Sequence, residues 1–514
     1  MNKNRQLLVN LFASVIVFVV QFFINFWLSP YVVDKLGEAA YGFITLANNF
    51  TQYASLITVA INSMASRFIS VEYNKGNTEE AKRYFSSVFW FNTVLSLVVL
   101  IASLFIVGNI EHLIHVSPEL VRDVKITFFL SFLNLIVSFV STAYISSTFV
   151  VNRMDLHAYV QIGSNLVKMF LTIILFSYCV PHIYFVSISA VASSLFVICS
   201  YLCLKRKLLP GFSVSPKRFS VRKILTVAKA GLWILLSNVS NLLLNGLDLL
   251  IANLMISQEA MGRISVAQQI PTAVGSLLGY LSNIFSASFT GLVAQDDKEG
   301  LVKEVGFTCK VLGLFLTVPF AAIIVFGSDF FRLWLPANVY SAADLRQINI
   351  LMLLVLINVI VNAYMYSIHS LFVAIARVKV YSIMVFCAGC VSTLLTLIIT
   401  RFTDLGVYAI AGTSTCVLAL VNLFLVPMYA EKAIGVPYFT FLKTIFRNYI
   451  ALFVIWLIFF LLKPLTNIHS WLTFFAIIGG LAIPSYFVVF NILLNKEEKK
   501  LLVQKLKAKV KKNN

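Results

Sequence analysis

Two charged side chains, Lys168 and Asp248, lie within long apolar stretches of this sequence. A charge at the centre of a hydrocarbon layer costs about 2.5–3.5 kcal/mol on insertion scales, so it must face water or a partner. The two residues could form a structural ion pair with each other. Alternatively, Lys168 binds an anionic part of a ligand, and Asp248 serves as a counter-ion or as a titrating group that couples to an ion gradient.

Neutral polar side chains recur at steps of three and four residues around these charges, which places them on single helical faces. Amides in membrane helices can join helices at roughly 0.6 kcal/mol per contact. Repetition over both halves of the chain instead favours a hydrated lumen suited to a hydroxyl-rich solute such as a sugar. The side chains are Ser14, Gln21 and Asn25; Gln161 and Asn165; Asn238, Asn241 and Asn245; Ser265, Gln269, Thr272 and Ser276; and Asn358, Asn362 and His369.

Four arginines lie at the ends of apolar stretches, namely Arg67, Arg153, Arg263 and Arg377. A planar guanidinium can bind phosphate through two hydrogen bonds, so these residues could add contacts to an anionic ligand. The alternative is that they anchor the membrane topology.

The composition requires a membrane protein. Of 514 residues, 60% are hydrophobic and 12% are charged, against about 45–50% and roughly 25% in soluble domains. The apolar runs are long enough as helices to cross roughly 30 Å of hydrocarbon. They predict fourteen spans, near residues 7–33, 40–65, 84–107, 125–151, 158–180, 181–204, 230–256, 262–291, 306–328, 347–373, 380–400, 406–428, 446–465 and 470–494.

Most of the 40 Lys and Arg residues fall in loops on the side of the N-terminus. Because cytoplasmic loops retain basic residues, both termini should be cytoplasmic in a multi-pass membrane protein. The net charge of +19 therefore indicates contact with anionic lipid and no nucleic-acid partner.

One segment occurs twice. "EAAYGFITLANN" at 38–49 returns as "QEAMGRISVAQQ" at 258–269, and the alignment pairs Gly42 with Gly262. Each copy would hold six spans, and an even number makes the repeats parallel, related by an axis along the membrane normal. The predicted fold is all-α, with two six-helix repeats around a central cavity and two added helices. The predicted domains are a first bundle at 1–204, a basic linker at 205–229, a second bundle at 230–428, two helices at 446–494 and a basic tail at 495–514.

Catalytic and nucleotide motifs are missing from the sequence. It has no phosphate-binding loop, no His or Cys cluster with metal spacing and no nucleophile with an adjacent base. We therefore expect no enzymatic activity, no cofactor and no metal. Energy for any transport would come from an ion gradient, the membrane potential or substrate flow.

Several motifs resemble the Wzx-type polysaccharide flippases of the multidrug/oligosaccharidyl-lipid/polysaccharide (MOP) exporter superfamily. They are "QFFINFWLSP" leading to "LGEAAYG", "SRFISVEYNKGNTEEAKRYFSS", "NGLDLLIANLMISQEAMGRISVAQQI" and "LGVYAIAGTSTCVLALVNLFL". The resemblance implies translocation of undecaprenyl-pyrophosphate-linked oligosaccharide from the inner to the outer face of the bacterial cytoplasmic membrane, for O-antigen, capsule or related glycans. A polysaccharide polymerase and a chain-length regulator would then be candidate partners.

The resemblance also implies residue roles. Asp248 matches an acidic position of the seventh span and Arg67 a basic position after the second. Lys168 and Arg67 would attract pyrophosphate, and Asp248 would serve coupling or structure. The further substrate-binding candidates are Asn25, Gln161, Asn165, Asn245, Arg263, Gln269, Asn358 and Asn362.

Three alternatives stay open. A flippase for lipid II or a teichoic-acid precursor would differ in headgroup and not in fold. A cation-coupled multidrug exporter of the same superfamily tends to carry an acidic residue in its first span, and this chain has none there before Asp34. A non-transporting scaffold for glycan assembly would tolerate loss of the polar stripes.

Overall fold

A computed structural model describes residues 3–375, 377–495 and 498–499, and within these ranges the chain forms helices and no strand. Thirteen of the described helices are long and apolar enough to cross a membrane. The predicted all-α membrane fold is therefore confirmed. The end of the predicted basic tail, residues 500–514, lies outside the described residues.

The helices of the first 267 residues are, in order, α1 Lys3–Leu36, α2 Glu38–Asn74, α3 Thr78–Gly108, α4 Ile110–Leu113, α5 Val121–Val150, α6 Met154–Tyr178, α7 Tyr184–Leu208, α8 Val221–Asn241, α9 Asp248–Met255 and α10 Gln258–Ala267. A π-helical turn, Leu242–Gly246, separates α8 from α9. A short 3-10 turn, Pro216–Arg218, precedes α8.

The remaining helices are α11 Gln269–Ala294, α12 Lys298–Trp334, α13 Ala342–Ala374, α14 Val378–Phe402, α15 Val407–Leu420, α16 Val426–Ile434, α17 Thr440–Leu462 and α18 Trp471–Leu493. A second π-helical turn, Val421–Leu425, joins α15 to α16, and a 3-10 turn, Lys463–Leu465, follows α17. Local sequence sets some boundaries. Ser341 and Asp344, for example, form a reciprocal capping box that begins α13.

The predicted count of fourteen spans stays a prediction. The predicted span at 262–291 corresponds to α10 and α11, which are not among the thirteen helices that qualify within the described residues. Other helices are longer than expected from hydropathy. The helix α8 begins at Val221, within the segment predicted as a linker, because a polar first turn can extend a membrane helix into the aqueous phase.

The chain divides into two compact units, the first containing residues 1–266 and 382–411. In this unit α5 packs against α7 and α2, and α2 packs against α3 and α8. The basic segment before α8 is fixed to the unit, since Leu209 and Phe212 are buried in a cluster with Phe85 and Val227. Ion pairs from Lys223 to Glu80 and from Arg218 to Glu79 lie beside this cluster.

The second unit contains residues 267–381 and 412–514. Its central helix is α12, which packs against α13, α17 and α18. Phe320 and Tyr364 are fully buried at the contact of α12 with α13. The last two membrane helices are thus held by α12. The predicted domain boundaries and the predicted six-helix repeats stay predictions.

Candidate functional site

Lys168 lies in α6, which is one of the thirteen membrane-crossing helices. Its backbone carbonyl accepts a hydrogen bond from Thr172 Oγ1 at 2.8 Å. Its half-buried side chain forms no ion pair and no hydrogen bond with the residues that the structure describes, Asp248 included. The predicted alternative of a structural Lys168–Asp248 pair is therefore not observed. The ammonium can instead bind an anion.

The helices around Lys168 carry further polar groups. The adjacent α1 packs along α6, where Tyr31 contacts Phe176, and Asn25 on α1 is exposed. On α6 itself, Gln161 lies beside the Tyr201 hydroxyl, and Asn165 is half-buried without a side-chain hydrogen bond to a described residue. The side chain of Ser14 lies outside the part of the chain that the structure describes.

Asp248 is positioned by the π-helical turn that precedes it. The turn frees the Gly246 carbonyl, which accepts hydrogen bonds from the Tyr53 hydroxyl and, at 3.4 Å, from Asn49 Nδ2, both on α2. Asp248 is the buried first residue of α9, where the helix dipole favours a carboxylate. Asn245, within the turn, is exposed. Such π-turns are frequent at functional sites.

The arginines separate into paired and unpaired groups. Arg153 binds the Asp155 carboxylate through Nε at 2.9 Å and Nη2 at 2.9 Å, and this hydrogen bond raises the pKa of Arg153 above its ordinary value. Arg263 pairs with Glu38 at 3.4 Å. By contrast, Arg67 on α2 is exposed and has no side-chain partner within the described ranges. Among the predicted phosphate contacts in the first unit, Arg67 is the one that keeps its guanidinium available.

In the second unit, the two asparagines of the α13 stripe are hydrogen-bonded to other amides. Asn362 Nδ2 donates to Asn358 Oδ1 at 2.6 Å, and Asn422 Nδ2 donates to Asn362 Oδ1 at 2.9 Å. Asn422 is buried in the π-helical turn between α15 and α16. Gln269 is half-buried at the start of α11.

The sequence reasoning missed three residues of these clusters, namely Tyr53, Asn49 and Asn422. Asn49 ends the first copy of the duplicated segment, and Tyr53 follows it by one helical turn. Asn422 is a single amide in the apolar run "LVNLFLV". A solitary polar residue gives no periodic signal, so only its position in a π-turn reveals its role.

Comparison with known proteins identifies the group to which the chain is related. Residues 7–289, more than half of the chain, match the family described as polysaccharide biosynthesis protein. A curated relative, the uncharacterized membrane protein EpsK of Bacillus subtilis (strain 168), is 26% identical over 501 residues, covering 97% of this chain and 98% of EpsK.

Solved structures share the fold. The lipid II flippase MurJ in an inward closed conformation aligns with a TM-score of 0.69 at 16% identity, covering 94% of this chain and 98% of MurJ. The MATE multidrug transporter DinF-BH aligns with a TM-score of 0.60 at 16% identity, covering 84% of this chain and 97% of DinF-BH. The chain therefore belongs to the polysaccharide biosynthesis protein family, and it shares its fold with MurJ and DinF-BH.

Proposed function

We propose that this protein translocates an undecaprenyl-pyrophosphate-linked oligosaccharide from the cytoplasmic to the outer face of the bacterial cytoplasmic membrane by alternating access. The observation that carries the proposal is Lys168, a lysine in a membrane-crossing helix with no described side-chain partner. An unpaired intramembrane cation is expensive, so it is retained where it faces water or an anionic ligand. In a family named for polysaccharide biosynthesis, a pyrophosphate-linked glycan supplies that anion.

The physical chemistry of such a substrate divides it between two environments. Withdrawing each methylene of the polyprenyl chain from lipid costs about 0.8 kcal/mol, so the chain stays in the bilayer. The sugars and pyrophosphate need hydrogen bonds and positive charge. Exposed or half-buried amides such as Asn25, Gln161 and Asn165 can bind hydroxyls, and the exposed Arg67 can attract the headgroup at the cytoplasmic side.

Asp248 has a different role in this proposal. Its carboxylate is buried beside Tyr53 and the opened backbone of the π-turn. It either couples transport to a cation or stabilises the turn between α8 and α9. Both termini lie in the cytoplasm, as the distribution of basic residues indicates.

The proposal is tested by measuring translocation in proteoliposomes that contain a fluorescent undecaprenyl-pyrophosphate oligosaccharide. Lys168→Ala should lower the initial rate at least tenfold, and Lys168→Arg should recover part of it because the charge is kept. Arg153→Ala is the matched control, since its cation is already paired with Asp155. A Lys168→Ala rate equal to that of the parent would contradict the proposal.

A second substrate separates the alternatives that share this fold. Lipid II carries the same pyrophosphate and a different glycan, so it is assayed in parallel. Preference for the oligosaccharide substrate supports the proposal. Faster translocation of lipid II would assign the protein to cell-wall precursor transport. Transport of a cationic dye, with translocation of neither lipid, would assign it to drug export.

A further inference from the structure

The polar stripe of α6 begins one turn earlier than the predicted Gln161, Asn165 and Lys168. His157 lies four residues before Gln161 and eleven residues before Lys168. Eleven residues are close to about three turns of 3.6 residues, so His157 and Lys168 lie on the same face of the helix. Exposed apolar side chains lie on the opposite face of α6, among them Tyr159, Leu166, Phe170 and Ile174. The stripe, His157 included, is therefore turned away from lipid.

The imidazole of His157 is held in one orientation by α7. Tyr201 on α7 is fully buried, and its hydroxyl lies 2.6 Å from His157 Nδ1. The two rings are also stacked, with centroids 6.0 Å apart and planes inclined by 29°. The Gln161 amide lies beside the same hydroxyl. Gln161, Tyr201 and His157 thus form a short polar chain between α6 and α7, all of it within the first compact unit.

This chain decides which ring nitrogen can bind a ligand. A neutral imidazole has one donor and one acceptor nitrogen, and the partner of one nitrogen sets the role of the other. When the Gln161 amide donates to the Tyr201 oxygen, the hydroxyl donates to His157 Nδ1 and the ring proton lies on Nε2. Nε2 forms no hydrogen bond with a described residue. The acidic side chain of α6, Asp155, is already paired with Arg153.

We propose that His157 is a further anion-binding residue, which contacts the pyrophosphate of the lipid-linked oligosaccharide before Lys168 does, and that Tyr201 positions its Nε2–H. The inference rests on the proposed function. His157 lies near the end of α6 that the basic-loop distribution assigns to the cytoplasm. Lys168 lies about 16 Å further along the helix, at a rise of 1.5 Å per residue. One pyrophosphate cannot span that distance, so the two residues contact it in succession.

Translocation kinetics test the order of contact. In proteoliposomes with graded amounts of the fluorescent oligosaccharide lipid, His157→Leu should raise KM at least about tenfold, since a hydrogen bond to a charged group is lost. The kcat should change less than about twofold, because Lys168 is intact. His157→Gln should recover part of the KM, because its amide N–H can replace Nε2–H. An unchanged KM in folded His157→Leu would overturn the inference.

Two further variants separate positioning from helix packing. Tyr201→Phe keeps the buried ring and removes the hydroxyl, so KM should rise about threefold at unchanged kcat. A lower melting temperature with the parental KM would instead make the Tyr201–His157 bond a helix-joining contact and overturn the positioning role. His182→Leu is the matched control, since His182 is bonded to the Asp123 carboxylate at 3.0 Å and lies in the loop at the other end of α6. Its KM should equal that of the parent.

Nuclear magnetic resonance of the parent protein tests the site without transport. The six histidines are labelled with a nitrogen isotope, and the His157 signal is assigned by its loss in His157→Gln. In mildly alkaline buffer, where a free imidazole is neutral, the proton should lie on Nε2. Inorganic pyrophosphate should shift this signal and leave that of His182 in place.

The spectra also distinguish failure of this inference from failure of the proposed function. A neutral His157 ring protonated on Nδ1, or an Nε2 signal that pyrophosphate does not shift, would overturn the inference even in a protein that translocates the oligosaccharide lipid. A shifted Nε2 signal in a protein that translocates no lipid would support the anion site and overturn the proposed function alone.

Discussion

The polar stripe of α6 and the polar stripe of α13 have the same helical spacing and opposite environments. On α13, Asn358 and Asn362 are hydrogen-bonded in a chain that Asn422 completes. On α6, Lys168 and Asn165 have no side-chain bond to a described residue. The same sequence pattern therefore marks helix-joining residues in one place and available binding groups in the other.

The difference follows from what each side chain can offer. An amide both donates and accepts, so a row of asparagines can satisfy its own members. An ammonium only donates and carries a charge, so it needs an acceptor, preferably an anion. Arg153 has such an acceptor in Asp155, whereas Lys168 has none among the described residues. We therefore identify a candidate binding cation by the absence of an acidic partner among the described residues.

The largest expected effect comes from reversing the charge on α6. Lys168→Glu places a carboxylate where we propose that pyrophosphate binds, and repulsion should lower the translocation rate about 100-fold, equivalent to about 2.7 kcal/mol. The melting temperature in detergent should change little, because no described partner is lost. A large fall in melting temperature instead would show that Lys168 is structural.

The next largest effect concerns the stability of the α13 stripe. Asn362→Leu removes the acceptor of Asn422 and should destabilise the fold by about 1–3 kcal/mol, the usual cost of an unsatisfied buried polar group. Thermal unfolding followed by intrinsic fluorescence measures this loss. Translocation per folded molecule should stay within about twofold of the parent. Lost transport at unchanged stability would mean that α13 also binds substrate.

A smaller effect is expected from Asn165→Ala on α6. Loss of one amide-to-hydroxyl contact of roughly 0.6 kcal/mol corresponds to about a threefold lower translocation rate. Because Asn165 has no described side-chain bond, the melting temperature should match that of the parent. The opposite result, lower stability at an unchanged rate, would make Asn165 a helix-joining residue like Asn362.

The smallest effect is expected from Arg153→Ala. The guanidinium is partly exposed, and exposed ion pairs contribute about 0–1 kcal/mol. Translocation should stay within about twofold of the parent rate. A loss of translocation rate comparable to that of Lys168→Ala would show that Arg153 breaks its ion pair with Asp155 to bind the substrate. Cations that are paired in this structure would then also be candidate binding groups.

The sequence was sufficient to predict the features of the fold that depend on hydropathy and charge. Membrane helices, the intramembrane position of Lys168 and the duplicated segment follow from composition, the cost of burial and alignment. It could not separate Asn165 from Asn362, because periodicity reports the face of a helix and not the neighbour that the face contacts. It also missed Tyr53 and Asn422, whose roles depend on π-turns that interrupt the helical spacing.

Binding of undecaprenyl pyrophosphate to the purified protein, compared with uncharged undecaprenol, tests the role of Lys168 most directly. Titrations are done on the parent and on Lys168→Met, a variant of similar length without charge. We expect the substitution to weaken pyrophosphate binding at least tenfold, or about 1.4 kcal/mol, and to leave undecaprenol binding unchanged. Equal affinity of both proteins for the pyrophosphate would contradict the assignment of Lys168 as the anion-binding residue.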